Sequence, residues 1–425
     1  MKQTLIIALA LLVPMSCSHR ANTSAAKAKE EHAGLFPIRV DGKWGYIDQM
    51  GKLVIDPQFN DAGDFSEGLA LVRTGNRWGY VDKKGKYVIN CPRYDGDGKF
   101  SGGLAEVTTI DGKSGYIDTT GKLVIPPQFE NGGPFSGGLA QVWISWNKTG
   151  YIDTTGKYVI NPLFGYISDF SEGLAVVTLG DKWGFIDKTG KLVDDQRFDF
   201  AENFSEGLAA VGVGDRYGYV DRAGKYVVRL QFDDVEGFSE GLAAAKVGNR
   251  WGYIDKTGKY VINPQFVGAW SFSNGLAAVT VSDKLGYIDR AGKFVITPRF
   301  EFDHRSLSFS DGLVRVRDGG RWGYIDKTGK LVVSPQFDSI CLFSEGLAEA
   351  WVGGKCGYVN DSGRLVINPM FDGARPFSEG LAQVWFGEEP TLKCGYIDRS
   401  GRLIWREPSD EGASAARTRT KVGPR

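Results

Sequence analysis

The chain has 425 residues, with 51 Lys+Arg balanced by 51 Asp+Glu and only three His. Zero net charge excludes a nucleic-acid binder working by bulk attraction, and 42% hydrophobic content excludes a chain without a core. Glycine is the anomaly: 58 residues, well above the usual share of about 7%, which points to many turns.

Residues 1–18 read as an export signal. Lys2 supplies a positive start, and Leu5 to Val13 form an apolar stretch. That stretch is short of the roughly 20 residues needed to span a bilayer but suits a signal peptide. Cys17 follows it directly and resembles the lipidated cysteine of a bacterial lipoprotein. Ser16 fits that pattern, while Pro14 and Met15 depart from it. Lipidation at Cys17 and ordinary cleavage nearby both stay open. Either predicts a protein of the cell envelope (periplasm or outer surface) or a secreted one. One acyl chain anchors weakly, so membrane contact is expected only through such a lipid. Residues 19–33 read as a flexible linker.

The body is one repeated unit. A Gly-aromatic-Ile/Val-Asp motif places its glycine at positions 45, 79, 115, 150, 184, 218, 252, 286, 323, 357 and 395, in steps of 34 to 38. A Phe-Ser-x-Gly-Leu motif runs in phase from Phe65 to Phe377. The length alone would suggest two or three domains. The period instead makes residues 34–406 one array of eleven units of about 35 residues.

Residues 241–266 serve as the model unit. Gly241 to Val247 form a first strand, Gly248 to Arg250 a turn, and Trp251 to Asp255 a second strand rich in β-formers. The turn Asp255-Lys256-Thr257-Gly258-Lys259 leads to a third strand, Tyr260 to Ile262, which Asn263-Pro264 stops. A loop of about ten residues leads to the next Phe-Ser, whose Phe is read as core and whose Ser as a turn cap. The Asp-x-x-Gly-Lys/Arg turn recurs in all eleven units, with Asn360 once replacing the Asp. One carboxylate per unit suits a turn and is too few for a calcium cage.

The segments Trp-Gly-Tyr-Ile-Asp, Asp-Lys-Thr-Gly-Lys, Pro-Gln-Phe and Phe-Ser-Glu-Gly-Leu-Ala resemble the bacterial WG-repeat family. Trp44-Gly45, Trp78-Gly79, Trp183-Gly184, Trp251-Gly252 and Trp322-Gly323 carry its namesake pair. Elsewhere the Trp slot holds Ser114, Thr149, Tyr217, Leu285, Cys356 or Cys394. The resemblance implies a β-rich repeat array, often exported, and brings no catalytic residues with it. The expected fold is all-β: eleven three-stranded units in an open superhelical, solenoid-like array. A closed, propeller-like toroid is the alternative, because eleven exceeds the usual four to eight or so blades.

No constellation for chemistry stands out. His19 and His32 lie in the leader and linker, and His304 lies in an insertion between Phe300 and Phe309. A lone His makes neither a triad nor a zinc site. The expectation is a non-enzyme without cofactor or metal. Cys356 and Cys394 share one repeat slot in the last two units and would form a disulfide if units stack strand on strand. Trp143, Trp351 and Trp385 share another slot and are the ligand-binding candidates. The leading function is a non-catalytic scaffold binding an envelope or extracellular protein. A glycan or cell-wall binding module is the alternative, and an enzyme or inhibitor using the His304 insertion is the third. Residues 407–425 read as a disordered tail.

Overall fold

The computed structural model describes residues 34–408 except 92–93, 96–97, 194–197, 304–306 and 388–391. Cys17 and His304 therefore lie outside the described residues. Within them the chain is all-β and contains no helix.

Each unit is an antiparallel meander. In the seventh, Ala243–Val247, Arg250–Ile254 and Tyr260–Phe266 pair in order, as the sequence predicts. The third strand differs from expectation: it continues through Pro264. Trp251 opposes Phe266 while Tyr253 opposes Ile262, so two extra residues bulge outward around the proline. A proline at a bulge removes no ladder bond. The same bulge explains the glycine of the Trp-Gly pair. A Cβ on Gly115 would lie 2.5 Å from the Ile125 carbonyl oxygen of the bulged strand, so only glycine fits.

A short fourth strand completes the sheet, and it comes from the segment read as loop. Asp234–Val235 follows Phe232 almost at once and pairs with Lys246 and Ala245. The chain leaving one third strand thus enters the next unit's sheet directly. The Phe-Ser segment then turns it into the new first strand, through paired backbone bonds between Ser239 and Leu242.

Neighbouring units bury each other. Tyr253 and Ile262 of the seventh unit pack with Phe272, Ala277, Val279 and Ile288 of the eighth. The Tyr253 hydroxyl donates to the Trp270 carbonyl at 2.8 Å, and the Phe272 ring meets the Tyr253 ring edge-on at 4.9 Å. Ser239 does not cap its own turn: its hydroxyl donates to the Phe272 carbonyl of the next unit at 2.6 Å. Gly258 (φ 84°) also does two jobs. It takes a left-handed conformation, and a Cβ there would lie only 2.7 Å from Val228 Cγ1 of the preceding unit, so the missing Cβ lets the turn pack against it.

The array closes on itself. The first unit comprises β1 (Phe36–Val40), β2 (Lys43–Ile47) and β3 (Leu53–Phe59). Ile38 and Ile47 of this unit pack with Leu381 and Tyr396 of the eleventh, in the positions that join every other pair of units. The Gln49 side chain donates to the Glu379 carbonyl at 2.9 Å, as Lys256 donates to the Glu206 carbonyl elsewhere. Gly51 packs on the Ile404 backbone as Gly363 packs on the Val332 backbone of the unit before it. The arrangement is therefore the closed toroid, not the open superhelix favoured by the sequence reading.

Candidate binding site at the seam

The eleventh interface, between the last and first units, repeats the others with one piece missing. The sheet of the first unit has three strands, β1–β2–β3, and β1 is an edge. Among the described residues no fourth strand lies beside it, and no Phe-Ser segment precedes it. The chain's own repair is visible in Phe36. That position holds Ala in most units, such as Ala243 and Ala382. Here the Phe36 ring meets Tyr396 edge-on at 5.5 Å, replacing the absent Phe of the motif. The Tyr396 hydroxyl reaches one strand further than its counterparts and donates to the Pro37 carbonyl at 3.0 Å.

Two grooves flank this edge. One, of about 430 Å³, runs past Phe36, Pro37, Glu67, Arg375 and Tyr396. The other, of about 540 Å³, is lined by Arg39, Trp44, Arg375, Trp385, Cys394 and Glu407, among others. The Arg375 guanidinium lies over the Trp385 ring at 5.6 Å, and Lys99 pairs with Asp64 at 3.0 Å. Burial, then the neighbouring Glu407 carboxylate, pushes the Cys394 thiol up to about 11. It is therefore protonated at neutral pH and a poor nucleophile.

The structure does not gather the three tryptophans of the sequence reading into one site. Each is half-buried on a first strand, opposite a residue that has lost the Trp of the Trp-Gly pair. Trp143 opposes Thr149, Trp351 opposes Cys356, and Trp385 opposes Cys394. Where the Trp-Gly pair is intact, the opposite residue is Arg39, Arg73, Thr178, Lys246 or Arg317. One indole thus fills the cross-strand space from either side. Cys356 and Cys394 are free thiols. They lie in separate sheets, so the strand-on-strand stacking that would pair them does not occur.

One tryptophan escaped the sequence reading. Trp146 is 90% exposed at the tip of a hairpin. Its signal was available: other hairpins carry Gly, Asn or Asp there, as in Gly248-Asn249. Trp146 lines a shallow pocket of about 460 Å³ with Trp143, Glu130, Asn131 and Ser145. The ladder slips register between Trp143 and Ser145, just before the tip.

A family model described as "WG containing repeat" matches ten consecutive segments: 44–78, 78–113, 115–142, 150–183, 183–217, 217–251, 251–284, 286–322, 322–356 and 357–384. No curated protein matches the chain. Among solved structures, BamB from Moraxella catarrhalis is 12% identical with a TM-score of 0.30, over 69% of this chain and 92% of that one. AztD from Citrobacter koseri is 15% identical with a TM-score of 0.30, over 70% and 92%. Hsv2 from Kluyveromyces lactis is 10% identical with a TM-score of 0.30, over 56% and 95%. No functional conclusion follows from similarity at this level.

Proposed function

The chain belongs to the WG containing repeat family, and we propose that it is an exported, non-catalytic scaffold that binds protein partners in the cell envelope. The observation carrying this reading is the seam: among the described residues ten interfaces are filled by the chain itself, and one leaves an edge strand and two grooves open. The polar groups that recur in each unit are spent on the frame. Asp255 accepts the Thr257 and Lys259 backbone N–H groups at its turn, and buried Tyr253 serves the next unit. The signal-like residues 1–18 support export.

A second reading, a glycan-binding module, draws on Trp143 and Trp146. Two indoles beside an amide, a hydroxyl and a carboxylate are the groups that stack on sugar rings and bond their hydroxyls.

Both readings meet in one experiment. The full chain and a Trp146→Ala variant are immobilised and offered, separately, soluble envelope proteins and cell-wall glycans. Saturable, stoichiometric capture of one protein by both chains supports the scaffold. Capture of a glycan that Trp146→Ala loses favours the second reading. A folded chain that retains neither sinks both.

A further inference from the structure

We propose that the outer edge of β1 is a strand-addition site, and that its occupant is an extended acidic segment of a partner protein. This rests on the scaffold reading and deepens it.

The ten filled slots show what the eleventh would take. In the fifth unit, Thr178 sits on the first strand opposite Trp183, and its backbone faces the slot. Its N–H donates to the Tyr166 carbonyl, and its carbonyl accepts the Gly165 N–H, both at 3.1 Å. Arg39 holds the corresponding place in β1, opposite Trp44. Its backbone donor and acceptor therefore face a slot that no described residue fills, as a two-bond docking point. Pro37, two residues before, has no N–H to offer and presents only its carbonyl. That carbonyl now accepts the Tyr396 hydroxyl. An arriving strand would donate its own N–H there and release Tyr396 to the position its counterparts hold.

Charge decides the occupant. In two filled slots the counterpart of Arg39 pairs with an acid of the slot strand: Arg73 with Asp61 at 3.9 Å and Arg317 with Glu301 at 3.4 Å. Glu301 also accepts the Gly320 N–H. At the seam, Arg39 is exposed, and no carboxylate pairs with it among the described residues. Arg375 is held over Trp385 on the opposite wall. An extended strand with acids near its start would meet both guanidiniums while pairing with β1. This is the β-augmentation mode, in which main-chain bonds give affinity and side chains give choice.

The probe is a labelled peptide copying residues 232–240, which fills the slot of the seventh unit and carries four acids. It is titrated into the full chain, and fluorescence anisotropy is read. Saturable binding is expected, weakened by about tenfold or more in Arg39→Glu. A peptide with Lys in place of Asp233 and Asp234 should bind wild type poorly and Arg39→Glu better. Arg39 is exposed, so the variant should fold, which circular dichroism checks. No binding to the wild type overturns the proposal. Binding seen only after residues 19–33 or residues 409–425 are removed also overturns it, because the slot would then belong to the chain itself. If the peptide fails while Arg39→Glu still captures an envelope protein normally, this proposal falls and the scaffold reading stands.

Discussion

Single residues show how the ring tolerates variation, and Glu349 is the exception that tests it. Its side chain is buried at 3% exposure, and one carboxylate oxygen has no hydrogen-bond partner. Burial holds its carboxyl above the usual carboxylate range. Other units solve this position differently. Gln141 donates to the Ile167 carbonyl of the next unit at 3.1 Å, and Glu106 accepts the Gly132 N–H at 3.0 Å. The raised folded value means the native state holds its proton longer than the unfolded chain does. The stability tied to Glu349 is therefore full below the unfolded carboxyl value and falls as pH rises through the folded one. Glu349→Gln should stabilise the protein at pH 7 by about 1 kcal/mol, with the gain shrinking toward pH 4. Urea unfolding at both pH values reads this. A loss of stability at pH 7 would mean that the acid has a partner worth keeping.

At the scale of strands, the cross-strand Trp pairs make a packing claim that a mutation cycle can settle. In the tenth unit Trp351 opposes Cys356, and in the fifth Thr178 opposes Trp183. If one indole volume is shared between the two strands, Trp351→Thr leaves a gap and Cys356→Trp overpacks. Each single change should cost about 1–3 kcal/mol, and the double variant, which recreates the fifth unit's pair, should return to within about 1 kcal/mol of wild type. Additive losses in thermal unfolding would show that the two sites do not share space. The three longer strands were legible from the sequence because their alternation and turn residues are local. The fourth strand was not, because Asp234 and Val235 bond to the following first strand while lying in a stretch that reads as loop. The role of Ser239 was missed for the same reason: its acceptor, Phe272, lies 33 residues on. Of the candidate sites, the Trp143 slot was visible as a repeat position. Its swap with the Trp-Gly position needed the register, and the seam grooves needed the closed ring.

At the scale of the whole molecule, closure depends on a small rotation added at each of the interfaces, and no local pattern encodes that sum. Absence of a split unit argued for an open array, since ring-shaped repeat folds often lock by sharing strands between their ends. Among the described residues this ring closes instead by side-chain packing and by the Gln49–Glu379 and Tyr396–Pro37 hydrogen bonds. Ile38 is the sharpest reporter. It is 1% exposed, and its apolar neighbours include Leu381 and Tyr396 of the last unit. In an open array the face of β1 that carries Ile38 would meet water, and Ile38→Ala would be close to neutral. In the closed ring the same change should cost about 2–4 kcal/mol, as in any packed core. The comparison residue is Val279, which holds the equivalent place at a covalently continuous interface. Val279→Ala should be destabilising whether or not the ring is closed. Small-angle scattering of Ile38→Asp gives the second readout: a buried charge at the seam should open the ring and raise the radius of gyration. Loss of stability in Val279→Ala alone, with Ile38→Asp keeping the wild-type radius, would place the first and last units apart. Because the strand-addition site exists only where those units meet, that result would remove the grooves beside Arg39 together with the ring.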